Sequence, residues 1–334
     1  MSASVVPPAR MTSWLQHRYG GPETVAAETV PVPTPAPGEV LLAVAATALN
    51  SGDVRLMRGE PLLVRLFFGL RAPKRPGRGM DVAGTVVAVG SGVEVFAVGD
   101  RVVGELPGGG LAEYVVAPAD RLVHVPAEVS MTDAATLPIA GGTALQALDA
   151  GHVRGGRVLV VGASSGVGTF AVQLAAQRGA EVWALTGARS RTLVEGLGAA
   201  RTFDYRRVTI DSPELPSSSF DAVVVIAGAA RLRSLQRLVR DGGTVVMVSG
   251  DGGRVLGPVG RMLRAAVLSI GSRRKVHSLA ASPKTDVLRT LLDDVAAGRL
   301  APVVERTWPL ADAGAALAHI DAGHAVGKVL VTVE

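Results

Sequence analysis

The sequence predicts an α/β protein of two parts, a doubly wound parallel sheet joined to a barrel of short antiparallel strands. Three observations predict it. Short β-branched runs punctuated by Gly and Pro fill the first third of the chain. From about residue 129 apolar strands alternate with Ala- and Leu-rich helical stretches. A glycine-rich turn, Gly162-Ala163-Ser164-Ser165-Gly166-Val167-Gly168, joins one such strand to one such helix. The 334 residues exceed the ~150 typical of one domain. With 48% hydrophobic and 19% charged residues, the composition is that of a folded chain.

Residues 1–10 read as a flexible tail, because they lack the basic and apolar stretches and the small-residue cleavage site of a secretion signal. Residues 11–128 carry the runs Val40–Val44, Val82–Val89, Asp100–Val103 and Tyr114–Val116, expected to be strands of the barrel. Residues 129–272 carry the parallel-sheet pattern, with strands expected at Arg157–Val161, Glu181–Leu185, Arg201–Asp204, Asp221–Ile226 and Thr244–Val248 and helices between them. Residues 273–334 predict two amphipathic helices, Thr285–Ala297 and Leu310–Ala322, before a last strand at Lys328–Val333. The spacing of Val287, Leu288, Leu291, Leu292 and Val295 supports the first of these helices.

Composition also excludes. The chain has no cysteine, which removes disulfides, thiolate nucleophiles and every cysteine-built zinc site. The six histidines show no ligand spacing and read as structural or surface residues. No run reaches the about 18 apolar residues of a membrane span, so a cytoplasmic protein with no membrane partner is expected. The net charge is +5, but the only lysines are Lys74, Lys275, Lys284 and Lys328, and arginine is scattered. The one dense basic run, Arg273-Arg274-Lys275, reads as a solvated loop without aromatic interleaving, and no nucleic-acid partner is expected.

The strongest local signal is the strand Val158–Val161, the turn at residues 162–168 and the helix-compatible run Phe170–Arg178. Small residues let the backbone approach a pyrophosphate, which free amides and the helix dipole then stabilise. The signature is a variant, since Ala163 and Ser165 stand where glycine is usual. A site that prefers NAD places Asp or Glu about 20 residues on, for the ribose hydroxyls. Here that position is Thr186-Gly187-Ala188, with Arg189 and Arg191 directly after it and no acid before Glu195. Guanidinium suits the extra phosphate of NADPH, although an exposed helix start accounts for either arginine alone. NADPH is therefore expected ahead of NADH.

These residues belong to a longer series. It runs through Tyr19-Gly20-Gly21-Pro22, Asn50-Ser51-Gly52-Asp53 ahead of Arg58-Gly59, Gly79-Met80-Asp81-Val82-Ala83-Gly84 and Val98-Gly99-Asp100-Arg101-Val102. It continues with Gly110-Leu111-Ala112-Glu113-Tyr114-Val115, the glycine turn, Leu197-Gly198-Ala199 and Gly323-His324-Ala325-Val326-Gly327-Lys328-Val329. In that order, and over nearly the whole chain, they resemble the medium-chain dehydrogenase/reductase superfamily, in particular its zinc-free quinone and enone oxidoreductases.

The resemblance implies a GroES-like antiparallel β-barrel catalytic domain, a Rossmann-type coenzyme domain and a C-terminal return to the first domain. It also implies a nicotinamide in the cleft between them and a homodimer. Zinc-dependent relatives bind their ion with Cys and with a Gly-His-Glu motif, where this chain has Gly79-Met80-Asp81, so no zinc is expected. The cofactor residues carried over are Asn50, Thr143, Ser164, Ser165, Gly166, Val167, Gly168, Thr186, Arg189, Arg191, Tyr205, Ala227, Gly228, Ser249 and Lys328. Asn50 is implied beside the nicotinamide, though a turn-forming role suits it equally.

Without a metal, the implied chemistry is hydride delivery to a quinone or to the β-carbon of an α,β-unsaturated carbonyl. Two departures stand out. Val54-Arg55-Leu56 lacks the tyrosine that some quinone reductases place there, leaving solvent as the proton source or Arg55 as an electrostatic hold on the oxygen. Val225-Ile226-Ala227-Gly228 departs from the usual Asp-x-x-Gly. Asp53 and Asp81 read as loop-ordering residues rather than general acids. The apolar segment Pro61–Leu70 reads as a helix packed on the core, or else as a wall for a lipophilic substrate. A non-catalytic NADPH-binding sensor of the same fold is the competing reading.

Overall fold

The computed structural model describes residues 7–248, 255, 257 and 259–333. In chain order the elements begin with β1 (Arg10–Gln16), β2 (Val25–Pro31), β3 (Glu39–Leu49), α1 (Ser51–Arg58), α2 (Arg65–Phe68), β4 (Asp81–Val89), β5 (Arg101–Glu105), β6 (Tyr114–Pro118), β7 (Leu122–His124) and α3 (Met131–Ala135). There follow α4 (Gly142–Ala150), β8 (Arg157–Val161), α5 (Gly166–Gln177), β9 (Glu181–Thr186), α6 (Arg191–Gly196), β10 (Ala199–Asp204), β11 (Phe220–Val225), α7 (Leu232–Leu238), β12 (Val239–Met247), α8 (Val259–Ser269) and β13 (Lys275–Ser278). The chain ends with α9 (Thr285–Ala296), β14 (Val304–Pro309), α10 (Ala313–Asp321) and β15 (Lys328–Thr332). Among the described residues no helix is long and apolar enough to cross a membrane.

Two compact units result, residues 1–139 with 283–334, and residues 140–282. The divisions fall later than the sequence pattern places them, and packing gives the reason. Helix α3 lies against β3 and β4 and so stays with the first unit. At the other end, residues 275–278 pair in parallel with β12 and so stay with the second.

The first unit is a seven-stranded sheet in the order β14-β15-β3-β4-β5-β7, with β6 also on β3. Its pairings are antiparallel except β14 with β15, which makes it the α/β chain's GroES-like part. One core cluster joins Val40, Leu42, Val82, Val102 and Leu106, and a second joins Leu49, Met57 and Leu111 to Trp308, Leu317 and Val329 from the C-terminal return. The expected tail at residues 1–10 is corrected at its end. Arg10 opens β1 opposite Pro31, and the Ala9 carbonyl oxygen accepts from Val32 N at 3.2 Å. Residues 1–6 lie outside the described residues.

The second unit is a six-stranded, wholly parallel sheet in the order β10-β9-β8-β11-β12-β13. This is the Rossmann-type doubly wound order, which reverses direction between β8 and β11 and opens a crevice at the carboxyl ends of those strands. Leu159, Trp183, Phe220, Val223 and Leu235 centre its core.

Three local expectations are corrected. The run at 273–275 is not a free loop, because Lys275 begins β13 and Arg274 reaches Asp241 at 3.0 Å and Ser218 at 2.9 Å. The helix expected at Leu310–Ala322 begins only at Ala313, after a 3₁₀ turn over Leu310–Asp312. The segment Pro61–Leu70 is not a core helix. It forms a 3₁₀ turn and the four-residue α2, and Phe67 and Leu70 are 72% and 68% exposed.

Candidate active site

Two constellations carry chemistry, one in each unit. In the second unit the turn after β8 is shaped by sterics. Gly162 sits at φ +89°, where L side chains are strained, and a Cβ placed there would stand 2.9 Å from Ala227 Cβ. A Cβ on Gly168 would lie 2.2 Å from the Gly162 carbonyl oxygen, so the first turn of α5 packs on the preceding loop only as glycine. Ser165 is the N-cap: its Oγ accepts from Gly168 N at 3.1 Å and donates to Gly162 O at 2.8 Å. The cap starts α5 at Gly166, four residues before the apolar run that marked it in the sequence.

Ser164, Ser165, Gly166, Val167 and Gly168 therefore present the amino end of a 12-residue helix, the place where oriented amides and the helix dipole favour a phosphate. The neighbouring strand ends converge on it. The Leu185 carbonyl oxygen accepts from the amides of Gly162 and Ala163, at 3.0 and 3.1 Å. Thr186, which closes β9, is 1% exposed, and its hydroxyl is buried without a partner. Tyr205 follows β10, donates its amide to the Thr186 carbonyl oxygen at 3.1 Å and sets its ring beside Gly187. Ala227, at the end of β11, lies against Gly162, with Gly228 next at φ +91°.

Arg189 is exposed in the turn after β9. Arg191 opens α6, with Nε donating to Thr202 Oγ1 at 3.1 Å and Nη2 3.9 Å from Glu195. Thr143 is half-buried in the first turn of α4. Ser249 lies outside the described residues. A buried orphan hydroxyl, a cradle that a Cβ would fill and a capped helix start suit a dinucleotide.

The first unit holds a buried polar cluster that sequence reasoning saw only in fragments. Asn50 caps α1, its backbone N donating to Asp53 Oδ2 at 2.9 Å, while Asp53 Oδ1 accepts from Gly79 N at 3.2 Å. The Asn50 amide nitrogen donates to Asp81 Oδ2 at 2.9 Å and to the Ala48 carbonyl oxygen at 3.2 Å. Its Oδ1 accepts from Lys328 Nζ at 2.5 Å, and that ammonium also lies 3.3 Å from Asp81 Oδ2. The other Asp81 oxygen accepts from Ile139 N at 3.1 Å.

Lys328 is 2% exposed and Asp81 fully buried, so this ion pair is desolvated on both sides. Burial pushes the Asp81 carboxyl up and the Lys328 ammonium down, each opposed by the other's charge. Burial also pushes Asp53 up to about 6 and Glu105 up to about 7. Both amide hydrogens of Asn50 are committed inside the cluster, which makes it a fixed part of the floor rather than a free donor. The signal that could have found the cluster is Lys328 itself, one of four lysines in the chain and placed at the head of an apolar strand. Arg55 lies half-buried on α1.

This donor set does not suit a zinc ion. Asp81 is held by an ammonium and two amide groups, Met80 stands beside it, and the chain has no cysteine. Among the described residues no three His, Cys, Asp or Glu side chains gather as a metal site.

Residues 36–127 match the family described as Alcohol dehydrogenase GroES-like domain, and residues 197–331 that described as Zinc-binding dehydrogenase. The chain is 37% identical over 313 residues to a chloroplast envelope quinone oxidoreductase homolog of Arabidopsis thaliana, covering 90% of this chain and 92% of the relative. It is 31% identical over 340 residues to an NADPH-dependent alkenal/one oxidoreductase, chloroplastic, of the same plant, covering 97% of this chain and 80% of the relative. Among solved structures, a quinone oxidoreductase from Coxiella burnetii superposes with a TM-score of 0.86 at 26% identity, covering 97% of this chain and all of that one. Fold, glycine turn and relatives agree: the chain is a nicotinamide-dependent oxidoreductase and belongs to the quinone oxidoreductase-like branch of the medium-chain dehydrogenase/reductase superfamily.

Proposed function

We propose that the protein is an NADPH-dependent, metal-independent reductase of quinones or α,β-unsaturated carbonyls. The observation that carries the cofactor choice is the end of β9. Thr186-Gly187-Ala188 offers no carboxylate to a ribose diol, and Arg189 and Arg191 follow within five residues of the strand end. The names of the plant relatives, one a quinone oxidoreductase homolog and one an NADPH-dependent alkenal/one oxidoreductase, support the acceptor class.

When bound, NADPH supplies the hydride. The Ser165-capped start of α5 holds the pyrophosphate, and the buried Thr186 hydroxyl and the Tyr205 ring border the adenosine side. Arg189 and Arg191 take the 2′-phosphate, Arg191 giving up part of its hold on Thr202 and Glu195. In the first unit the Lys328–Asp81 pair fixes Asn50, and Arg55 on α1 holds the developing enolate oxygen electrostatically. Solvent provides the proton.

A homodimer is part of this reading. Leu263, Val267 and Ile270, spaced four and three residues apart along α8 and beyond its end, are 65%, 66% and 78% exposed, and they lead into β13, the open edge of the parallel sheet.

The test is NADPH consumption, followed at the nicotinamide absorbance, with 1,4-benzoquinone and with a simple enone. The double variant Arg189→Ala/Arg191→Ala is expected to lose about tenfold or more in NADPH affinity while NADH affinity holds, as befits charge-assisted bonds to one phosphate. Unchanged NADPH affinity removes the phosphate assignment, and no oxidation with either acceptor removes the substrate class. Sedimentation as a monomer at micromolar concentration removes the dimer.

A further inference from the structure

Beside the buried cluster, the first unit contains a cavity of about 280 Å³, close to the lower end of small-molecule sites at about 300 Å³. Its walls are apolar: the Tyr19 ring, Leu56, Phe67, Phe68 and Pro73. Its buried polar feature is Arg78, which is only 6% exposed. Of the five N–H groups of that guanidinium, one on Nη2 donates to the Arg75 carbonyl oxygen at 2.6 Å. Nε is buried with no partner. Asp53 lies near enough to act on Arg78 through its charge, but the hydrogen bonds of its carboxylate go to Asn50 N and Gly79 N. A guanidinium buried with most of its donors unspent is costly unless something completes it.

The surroundings point to the kind of molecule that would. Lys74 and Arg75, both exposed, also line the cavity and raise the local concentration of anions. The wall that carries the aromatic rings is pinned in place. Tyr19 Oη donates to the Gly69 carbonyl oxygen at 2.7 Å, and Lys74 N donates to the Phe68 carbonyl oxygen at 2.7 Å. The Arg65 guanidinium lies 4.5 Å from the centre of the Tyr19 ring. Phe67 and Phe68 are held at the cavity while remaining 72% and 46% exposed, an arrangement that leaves apolar surface in water unless a ligand covers it.

We propose that this cavity binds an amphipathic carboxylate, an aryl or alkyl acid. Its apolar body lies between Leu56, Phe67 and Phe68, and its carboxylate takes the open N–H groups of Arg78. The planar fork of guanidinium matches a carboxylate in two parallel bonds, and an apolar wall excludes the competing water. All of these residues belong to the first unit, and the proposal does not depend on the reductase reading.

Calorimetric titration of the full chain with 4-phenylbutyrate, and with 4-phenylbutanol as its neutral counterpart, tests it. The acid is expected to bind about tenfold or more tightly than the alcohol, the margin of a charge-assisted bidentate contact. Arg78→Met is expected to abolish that margin, and Phe68→Ala to weaken acid and alcohol alike. Should Arg78→Met not fold, the exposed double variant Lys74→Gln/Arg75→Gln, which keeps the buried cation, is expected to weaken the acid several-fold and flatten its salt dependence while leaving the alcohol unchanged. The proposal is overturned by alcohol binding that matches acid binding, by no heat from the acid up to about 10 mM, or by acid affinity that survives every one of these changes.

Discussion

Removing the ammonium of Lys328 probes the cluster most directly. In Lys328→Met the volume and apolar stem are kept, but Asn50 Oδ1 loses a donor at 2.5 Å and Asp81 loses the ammonium at 3.3 Å. Breaking a buried ion pair on one side costs about 3–5 kcal/mol, because an uncompensated charge is left behind. Asp81 keeps two hydrogen bonds, from Asn50 and Ile139, which places the cost near the lower end, about 3 kcal/mol. For a unit of this size each kcal/mol moves the melting point by about 2–4 °C, so the first unit's transition is expected to fall by about 6–12 °C.

The loss is also pH-dependent. Without the cation the Asp81 pKa, already raised by burial, rises further. A carboxyl whose folded value exceeds its unfolded one binds more protons when folded, so the variant's deficit shrinks as pH falls and grows as pH rises. Adding Asp81→Asn removes the stranded charge. With Lys328 gone, the Asn50 amide can turn its oxygen toward the new amide, so the double variant is expected to melt above Lys328→Met. Differential scanning calorimetry at pH 5 and pH 7 reads all of this. A melting point for Lys328→Met within about 2 °C of the parent, or a double variant no more stable than the single, refutes the reasoning.

Three further outcomes follow from the structure. Gly168→Ala drives a Cβ to within 2.2 Å of the Gly162 carbonyl oxygen, so nicotinamide nucleotide binding is expected to be lost by titration calorimetry, with thermal stability lowered as well. Asp53 rises from 3.8 to about 6 and Glu105 from 4.5 to about 7 on folding. Global stability is therefore expected to fall as pH climbs from about 4 to about 7 and to level off above, in urea melts across that range, with a shallower slope in Glu105→Gln. Phe67→Ala/Phe68→Ala removes exposed side chains, so its stability is expected to stay within about 0.5 kcal/mol of the parent while its affinity for 4-phenylbutyrate falls; unfolding would return the segment to the core.

The parts of the molecule legible in the sequence are those set by neighbours in the chain. The strand, glycine turn and helix over 157–177 depend on local sterics and one serine cap, and their residue types announce them. The central parallel-sheet strands β8, β9, β11 and β12 did so through apolar runs, because burial on both faces leaves no alternation to find. The edge strands β13 and β14 escaped notice, since both are short and polar residues such as Lys275, His277, Glu305 and Arg306 break up their apolar pattern. The polar cluster was illegible for a different reason. Lys328 meets Asp81 across 247 positions and Asn50 across 278, so nothing local to either marks the pairing.

The apolar run at 61–70 shows the converse error. Apolarity in a sequence states only that a group gains by leaving water; it does not say what will cover it. In Val40–Leu42 the cover is the sheet's own core, reached because β3 pairs with β4 and β6 on either side. In Phe67 and Phe68 the chain turns back at Gly69, is tied by Tyr19 and Lys74, and holds the two rings at the mouth of a cavity floored by a buried arginine. The hydrogen bonds that hold this short stretch in place also prevent it from collapsing onto the core. In the proposed site a ligand covers these rings, and the unspent donors of Arg78 select what kind of molecule brings that cover.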